Sequence, residues 1–266
     1  RLLPKYKGRY QAHPLGYWQN EFPIASKFSL SNIEFIFDYN DYLLNPLMSQ
    51  DGLNEILELS NKYNINVNSV CADFFMEQPI HCDDETIALK SVSVLKKLIS
   101  ACGALPVSDI VVPCVDQSSL KTQNQKFNLA NRLELVYDML EKYNINIALE
   151  TDLNPKDFND LLKSISHEKI TVNYDTGNSA SLGYNPNEEF EYYGDKITDI
   201  HIKDRLLNDG SVFLGEGSTN FEECFELIKS IKFNGPIIMQ AFRNDEGVDI
   251  FKRQLNWLNE NFLINE

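Results

Sequence analysis

Four polar residues close four successive Ile- and Val-rich runs: Glu150 in ALETD, Asp175 in NYDTGN, His201 in DIHIKDR and Gln240 in IIMQAFR. The first three are separated by 25 and 26 residues, and the last step of 39 leaves room for an extra loop over 206–219. If the runs lie side by side, two carboxylates, an imidazole and a carboxamide meet at one point. Two anions in a partly dry site repel unless a cation sits between them. The O,O,N,O set is hard to borderline, so it suits Mn²⁺ first, with Mg²⁺, Co²⁺ or Zn²⁺ allowed; without thiolates a closed structural zinc site is disfavoured. The expected metal ligands are therefore Glu150, Asp175, His201 and Gln240.

The elements that must place these residues alternate along the chain. Strand patterns are read at 32–38, 64–74, 109–116, 144–152, 170–177, 197–205 and 236–243, each short, β-branched and bounded by turn formers. Helical periodicity fills 53–62, 85–101, 126–142, 158–165, 221–231 and 248–262. Thr219 with Glu222 reads as a capping box, and Asp83 or Asp84 as another helix cap. Strict strand–helix alternation means a parallel sheet covered by helices. A Rossmann sheet would show G-x-G-x-x-G after its first strand, and none is present; the G-E-G of Gly215–Gly217 is weak evidence for a phosphate site. The expected architecture is α/β, a (β/α)8 TIM barrel formed by residues 1–266 as one domain. The seven strand patterns are one short of a full barrel, and the simplest repair places the first strand upstream of Arg1.

Composition narrows the partners. With 24 Lys and Arg against 39 Asp and Glu, the net charge of −15 is a poor match for nucleic acid. No apolar run is long enough to span a bilayer, so no membrane role is expected. The five cysteines are widely spaced and never form C-x-x-C, which fits small apolar core residues in a reducing, cytoplasmic setting.

The strings LETD, NYDTGN, HIKDR, LGEG and PIIMQAFR resemble the sugar isomerase/epimerase group of xylose-isomerase-like TIM barrels, which includes tagatose and psicose 3-epimerases and, more remotely, endonuclease IV. The opening RLLPKYKGRYQAHPLGYWQNEFPIA is similar to the segment after the first strand in sugar-phosphate isomerases of that group. The resemblance spans essentially the whole chain. It implies a sugar or sugar-phosphate isomerase or epimerase acting through a metal-bound enediolate, with a metal on the four residues named above and Glu150 as base.

The departures matter as much. Family epimerases place a second glutamate where this chain has Gln240, which offers a carbonyl oxygen but no base, so two-base epimerisation is in doubt. One-base aldose–ketose isomerisation is less affected. Asn178 stands where epimerases often carry histidine. The endonuclease reading fails for want of further histidines. Two rivals remain: a metal-dependent dehydratase of a cyclic polyol or keto sugar on the same barrel, and a decayed, sugar-binding protein.

Further substrate contacts are expected from Arg205 and Lys203 beside His201, Asn178, Arg243, Trp18 on the first long loop, and His81 after a strand end. Asp73 and Asp116 are expected to cap helices and His167 to be structural; His13 is not placed. The expected partner is a small sugar or sugar phosphate, with room for a homo-oligomer.

Overall fold

The computed structural model describes residues 2–244 and 248–262. Seven strands carry the alternation expected from the sequence: β1 (Asn32–Ile36), β2 (Asn66–Cys71), β3 (Asp109–Cys114), β4 (Asn146–Thr151), β5 (Ile170–Asp175), β6 (Ile197–Ile202) and β7 (Ile237–Met239). They pair in parallel in chain order, and β1 and β7 are the two edges of a nearly closed barrel. The residues that would close the gap are not paired as a strand in the described part. Instead, Leu3 lends its carbonyl to Arg243 just after β7 (3.1 Å), and Leu2 donates its N–H to Glu21 at 2.7 Å.

Among the described residues, eleven α-helices surround the strands: α1 (Glu21–Lys27), α2 (Gln50–Tyr63), α3 (Phe74–Glu77), α4 (Glu85–Cys102), α5 (Gln123–Leu133), α6 (Tyr137–Tyr143), α7 (Pro155–Ile165), α8 (Thr176–Leu182), α9 (Pro186–Tyr193), α10 (Phe221–Ser230) and α11 (Asp249–Asn261). The helix expected over 126–142 is broken by a 3₁₀ turn at Glu134–Val136, which seats both Leu133 and Val136 in the core. Asp84 caps α4 through the N–H groups of Thr86 and Ile87, as its position suggested. The cap of α10 is Asn220 rather than Thr219: Asn220 Oδ1 accepts from the Glu223 N–H, while the Thr219 hydroxyl is turned to the carbonyls of Thr176 and Lys203 and its N–H to Asp204. No helix among the described residues is long and apolar enough to cross a membrane. All five cysteines are free thiols, and Cys71, Cys102, Cys114 and Cys224 are buried.

The two faces of the strands differ in kind. Register rows such as Ile110–Ile147–Ile170 and Val112–Leu149–Val172 face the helices and form the apolar core. Glu34 on β1 touches His201 on β6, although those strands are not neighbours, so this contact runs through the barrel interior. Alternation then puts Asp199 on the inner face with His201. A layer of buried and half-buried polar side chains lines the lumen: Asn173 donates to Asp199 (2.7 Å), Asn146 to Asp109 (3.0 Å) and Ser69 to Glu34 (2.9 Å). The central strands β3 and β5 are thus buried on both sides, but only one side is apolar.

Candidate active site

The C-terminal strand ends open into a cavity of about 430 Å³, lined among others by Glu150, Asn178, Lys203, Arg205, Gln240 and Arg243. Larger hollows of about 540 and 600 Å³ lie against Trp257 and Tyr17, away from the strand ends. In this fold it is the strand ends that gather catalytic side chains.

Glu150 is buried at the end of β4, where Asn178 donates its amide to Oε1 at 2.5 Å. Burial, followed by the neighbouring Asp175 carboxylate, pushes the Glu150 pKa up to about 7. Asn178 is in turn held by Arg205, whose Nη1 donates to its Oδ1 at 2.9 Å while Nε donates to the Asp209 carbonyl. The chain Arg205–Asn178–Glu150 therefore fixes which amide atom faces the carboxylate.

Asp175 ends β5 and caps α8, its Oδ1 accepting from the N–H groups of Gly177 and Asn178. Its Oδ2 lies 3.4 Å from Lys203 Nζ, and the same ammonium donates to Gln240 Oε1 at 2.9 Å. Burial works against the charge on Lys203, but Asp175 and Glu150 outweigh it and hold the ammonium above its ordinary pKa. Gly177 leaves the space this side chain needs: a Cβ there would sit 2.8 Å from Lys203 Cγ.

His201 lies deeper, with no exposed surface. Its Nε2 is 2.9 Å from Glu34 Oε1 and 3.5 Å from Asp199 Oδ1, ion-pair contacts that Nδ1 lacks, and neither nitrogen makes an aligned hydrogen bond. Burial opposes a charged imidazole, yet the Glu34 and Asp199 carboxylates carry its pKa up to about 10. Burial and Glu34 together push Asp199 well above the usual carboxylate range. Among the described residues, the only group of three metal-ligating side chains whose donor atoms all lie within 4.8 Å of one another is Glu34, Asp199 and His201. Glu150, Asp175 and His201 are adjacent strand ends that do not reach that mutual distance.

Several sequence expectations shift. Trp18 does not line the cavity; it is packed in the core against Phe35 and Phe22, because the loop carrying it folds down onto β1. His81 is also outside the cavity, buried where Arg132 clamps the carbonyls of Ile80 and Cys82. Burial and the Arg132 charge drive the His81 pKa down to about 4. Arg243 does line the cavity, but its guanidinium lies 4.7 Å over Tyr10 and is tied to Leu3. Asp73 makes no cap hydrogen bond and instead lines the cavity, where burial raises its pKa to about 6 against the hydrogen bonds from Cys71 and Gln11. Asp116 opens a 3₁₀ turn in the left-handed region (φ 51°) on the same rim. His167 stacks on Tyr137 at 3.8 Å, a structural role as expected.

The G-E-G segment binds an anion of the protein itself. Gly215, Gly217 and Thr219 all donate N–H groups to the buried Asp204 carboxylate, and a Cβ on Gly217 would strike Asp204. Glu34 and Asp199 were missed in the sequence. The available signal was their phase, since a charge in mid-strand at even spacing from an inward residue must also face the lumen.

A sequence profile described as xylose isomerase-like TIM barrel matches residues 22–261. The chain belongs to this family. It is similar to an inosose isomerase of Bacillus velezensis, 25% identical over 60% of this chain and 62% of that protein, so the match spans less than two thirds of the relative's length. An L-ribulose-5-phosphate 3-epimerase of Escherichia coli is 20% identical over 85% of this chain and 82% of its own. Among solved structures, the IOLI protein with a bound zinc atom superposes with a TM-score of 0.74 at 18% identity, covering 92% of this chain and 94% of that one, a likeness of fold.

Proposed function

We propose that the protein is an isomerase of a small sugar or sugar phosphate, with Glu150 as the proton-transferring base. The observation that carries this reading is Glu150 itself, a buried carboxylate at a strand end that lines the cavity with one oxygen held by Asn178. Asn178 ties up Oε1, leaving the second oxygen for the substrate proton. Lys203 and Arg205 supply positive charge on the cavity wall, where substrate oxygens gain negative charge as the proton leaves. Gln240 cannot accept a proton, so one-base aldose–ketose isomerisation fits this chain better than epimerisation by two opposed bases.

The donor set fits a divalent cation. His201 Nδ1 is buried without a protein partner, and Glu150, Asp175 and Gln240 bring oxygen donors from the adjoining strand ends. These four residues would hold it, Mn²⁺ being the best match to the ligand types. Such an ion, when bound, would supply Lewis acidity that polarises the substrate carbonyl and makes the adjacent C–H more acidic. A reducing, cytoplasmic setting agrees with five free thiols.

The test is deuterium exchange from D₂O into a panel of ketoses, aldoses and their phosphates. Exchange is expected at the carbon beside the carbonyl, and Glu150→Gln should reduce it by about 10²-fold or more while leaving the fold intact. Undiminished exchange in that variant would remove Glu150 from the mechanism. A product lighter by one water would replace isomerisation with dehydration.

A further inference from the structure

The lumen below the cavity holds a carboxylate pair that the reaction does not need for contact with substrate. Glu34 reaches across from β1 and places Oε1 2.9 Å from His201 Nε2; its Oε2 accepts from Ser69 at 2.9 Å. Asp199, two residues before His201 on the same strand face, sits 3.5 Å from the same nitrogen and is itself held by Asn173 at 2.7 Å. Glu34 is therefore steadied through its other oxygen, whereas Asn173 donates to the same Asp199 Oδ1 that faces the imidazole; both carboxylates address one edge of the ring. Neither ring nitrogen makes an aligned hydrogen bond, but Nε2 is in ion-pair contact with both carboxylates, whereas Nδ1, equally buried, has no such contact.

An imidazole whose one nitrogen is committed to a carboxylate has its tautomer and ring orientation set, and its other nitrogen becomes the better ligand. We propose that Glu34, seconded by Asp199, is a positioning residue that commits His201 Nε2 and leaves Nδ1 as the ligating atom for the cation of the mouth site. This inference rests on the metal-dependent reading given above. The competing arrangement puts the ion one layer deeper, between Glu34, Asp199 and His201 Nε2, whose donor atoms lie close enough to share it. Access decides against it. Glu150 and Gln240, two of the four mouth-site residues, line the cavity, whereas none of Glu34, Asp199 and His201 does, so the mouth position is the one nearer to a substrate.

Two measurements on the full chain test the proposal. In the first, Mn²⁺ affinity is measured by titration calorimetry for the wild type and for Glu34→Gln, Glu150→Gln and His201→Ala, with circular dichroism as the check on folding. Glu34→Gln should weaken binding by about 10- to 100-fold, and the other two should abolish it. Equal affinity in Glu34→Gln would overturn the positioning role alone. Complete loss in Glu34→Gln with full binding in Glu150→Gln would place the ion in the deeper layer and also overturn it. No binding by the wild type would strike the metal-dependent reading itself, and this inference with it. The second measurement needs no variant: ¹⁵N-histidine NMR of the Zn²⁺-loaded protein, readable because the chain has only four histidines. A metal-bound Nδ1 with a protonated Nε2 is expected for His201. The reverse assignment would refute the proposal.

Discussion

The outer and inner faces of the same strands follow opposite rules. On the outer face, rows of Ile, Val and Leu meet the helices, and any side chain of similar volume would serve. On the inner face, Asp109, Asn173, Asp199 and His201 are buried as deeply and Glu34 is half-buried, yet each depends on a named partner. Apolar burial is roughly additive and forgiving, whereas a buried polar network is costly unless it is fully partnered. The unpartnered atoms in the network, such as His201 Nδ1, therefore mark where a further group belongs. The barrel keeps its stability on one face and its chemistry on the other.

That division can be broken in either direction. Leu149→Ala removes an outward side chain with no exposed surface, one residue before Glu150. It should cost roughly 3 kcal/mol in chemical denaturation and leave Mn²⁺ affinity unchanged; a matching loss of affinity would show that the faces are coupled.

His81 sharpens the contrast, as a polar side chain buried outside the cavity. Its pKa is about 4 in the fold against 6.5 when free, so the unfolded chain binds the extra proton between those values. Stability should be lost as pH falls through that window. His81→Gln should remove the loss, a difference on the order of 2 kcal/mol at pH 4, read from urea denaturation at pH 7 and pH 4.

Lys203 is the smallest perturbation and the most informative about the site. Its ammonium spans Asp175 and Gln240, where it competes for oxygens that a divalent ion would share. Lys203→Met should tighten Mn²⁺ binding by about tenfold, or 1.4 kcal/mol, and raise KM for substrate. Weaker Mn²⁺ binding would mean that the lysine organises the donor set rather than competing for it.

Most of the barrel was legible because hydrophobic period and turn residues are local signals, and the seven strand patterns each hold an observed strand. The break at Glu134–Val136 was not, since an apolar period runs through it unchanged. At the strand ends, the placement of Glu150 and Gln240 on the cavity wall was legible because strand ends face the mouth. Glu34 and Asp199 stayed hidden because their meaning arises only when β1 is brought opposite β6. Trp18 and His81 were misplaced for the same reason: a loop residue's direction depends on tertiary packing, not on its distance from a strand end.

The most direct measurement is elemental analysis of the purified protein after chelation and Mn²⁺ reloading, alongside the His201→Ala and Glu150→Gln variants. The account expects one Mn²⁺ per chain in the wild type and none in either variant. No retained metal under any loading, or equal metal in all three proteins, would contradict it.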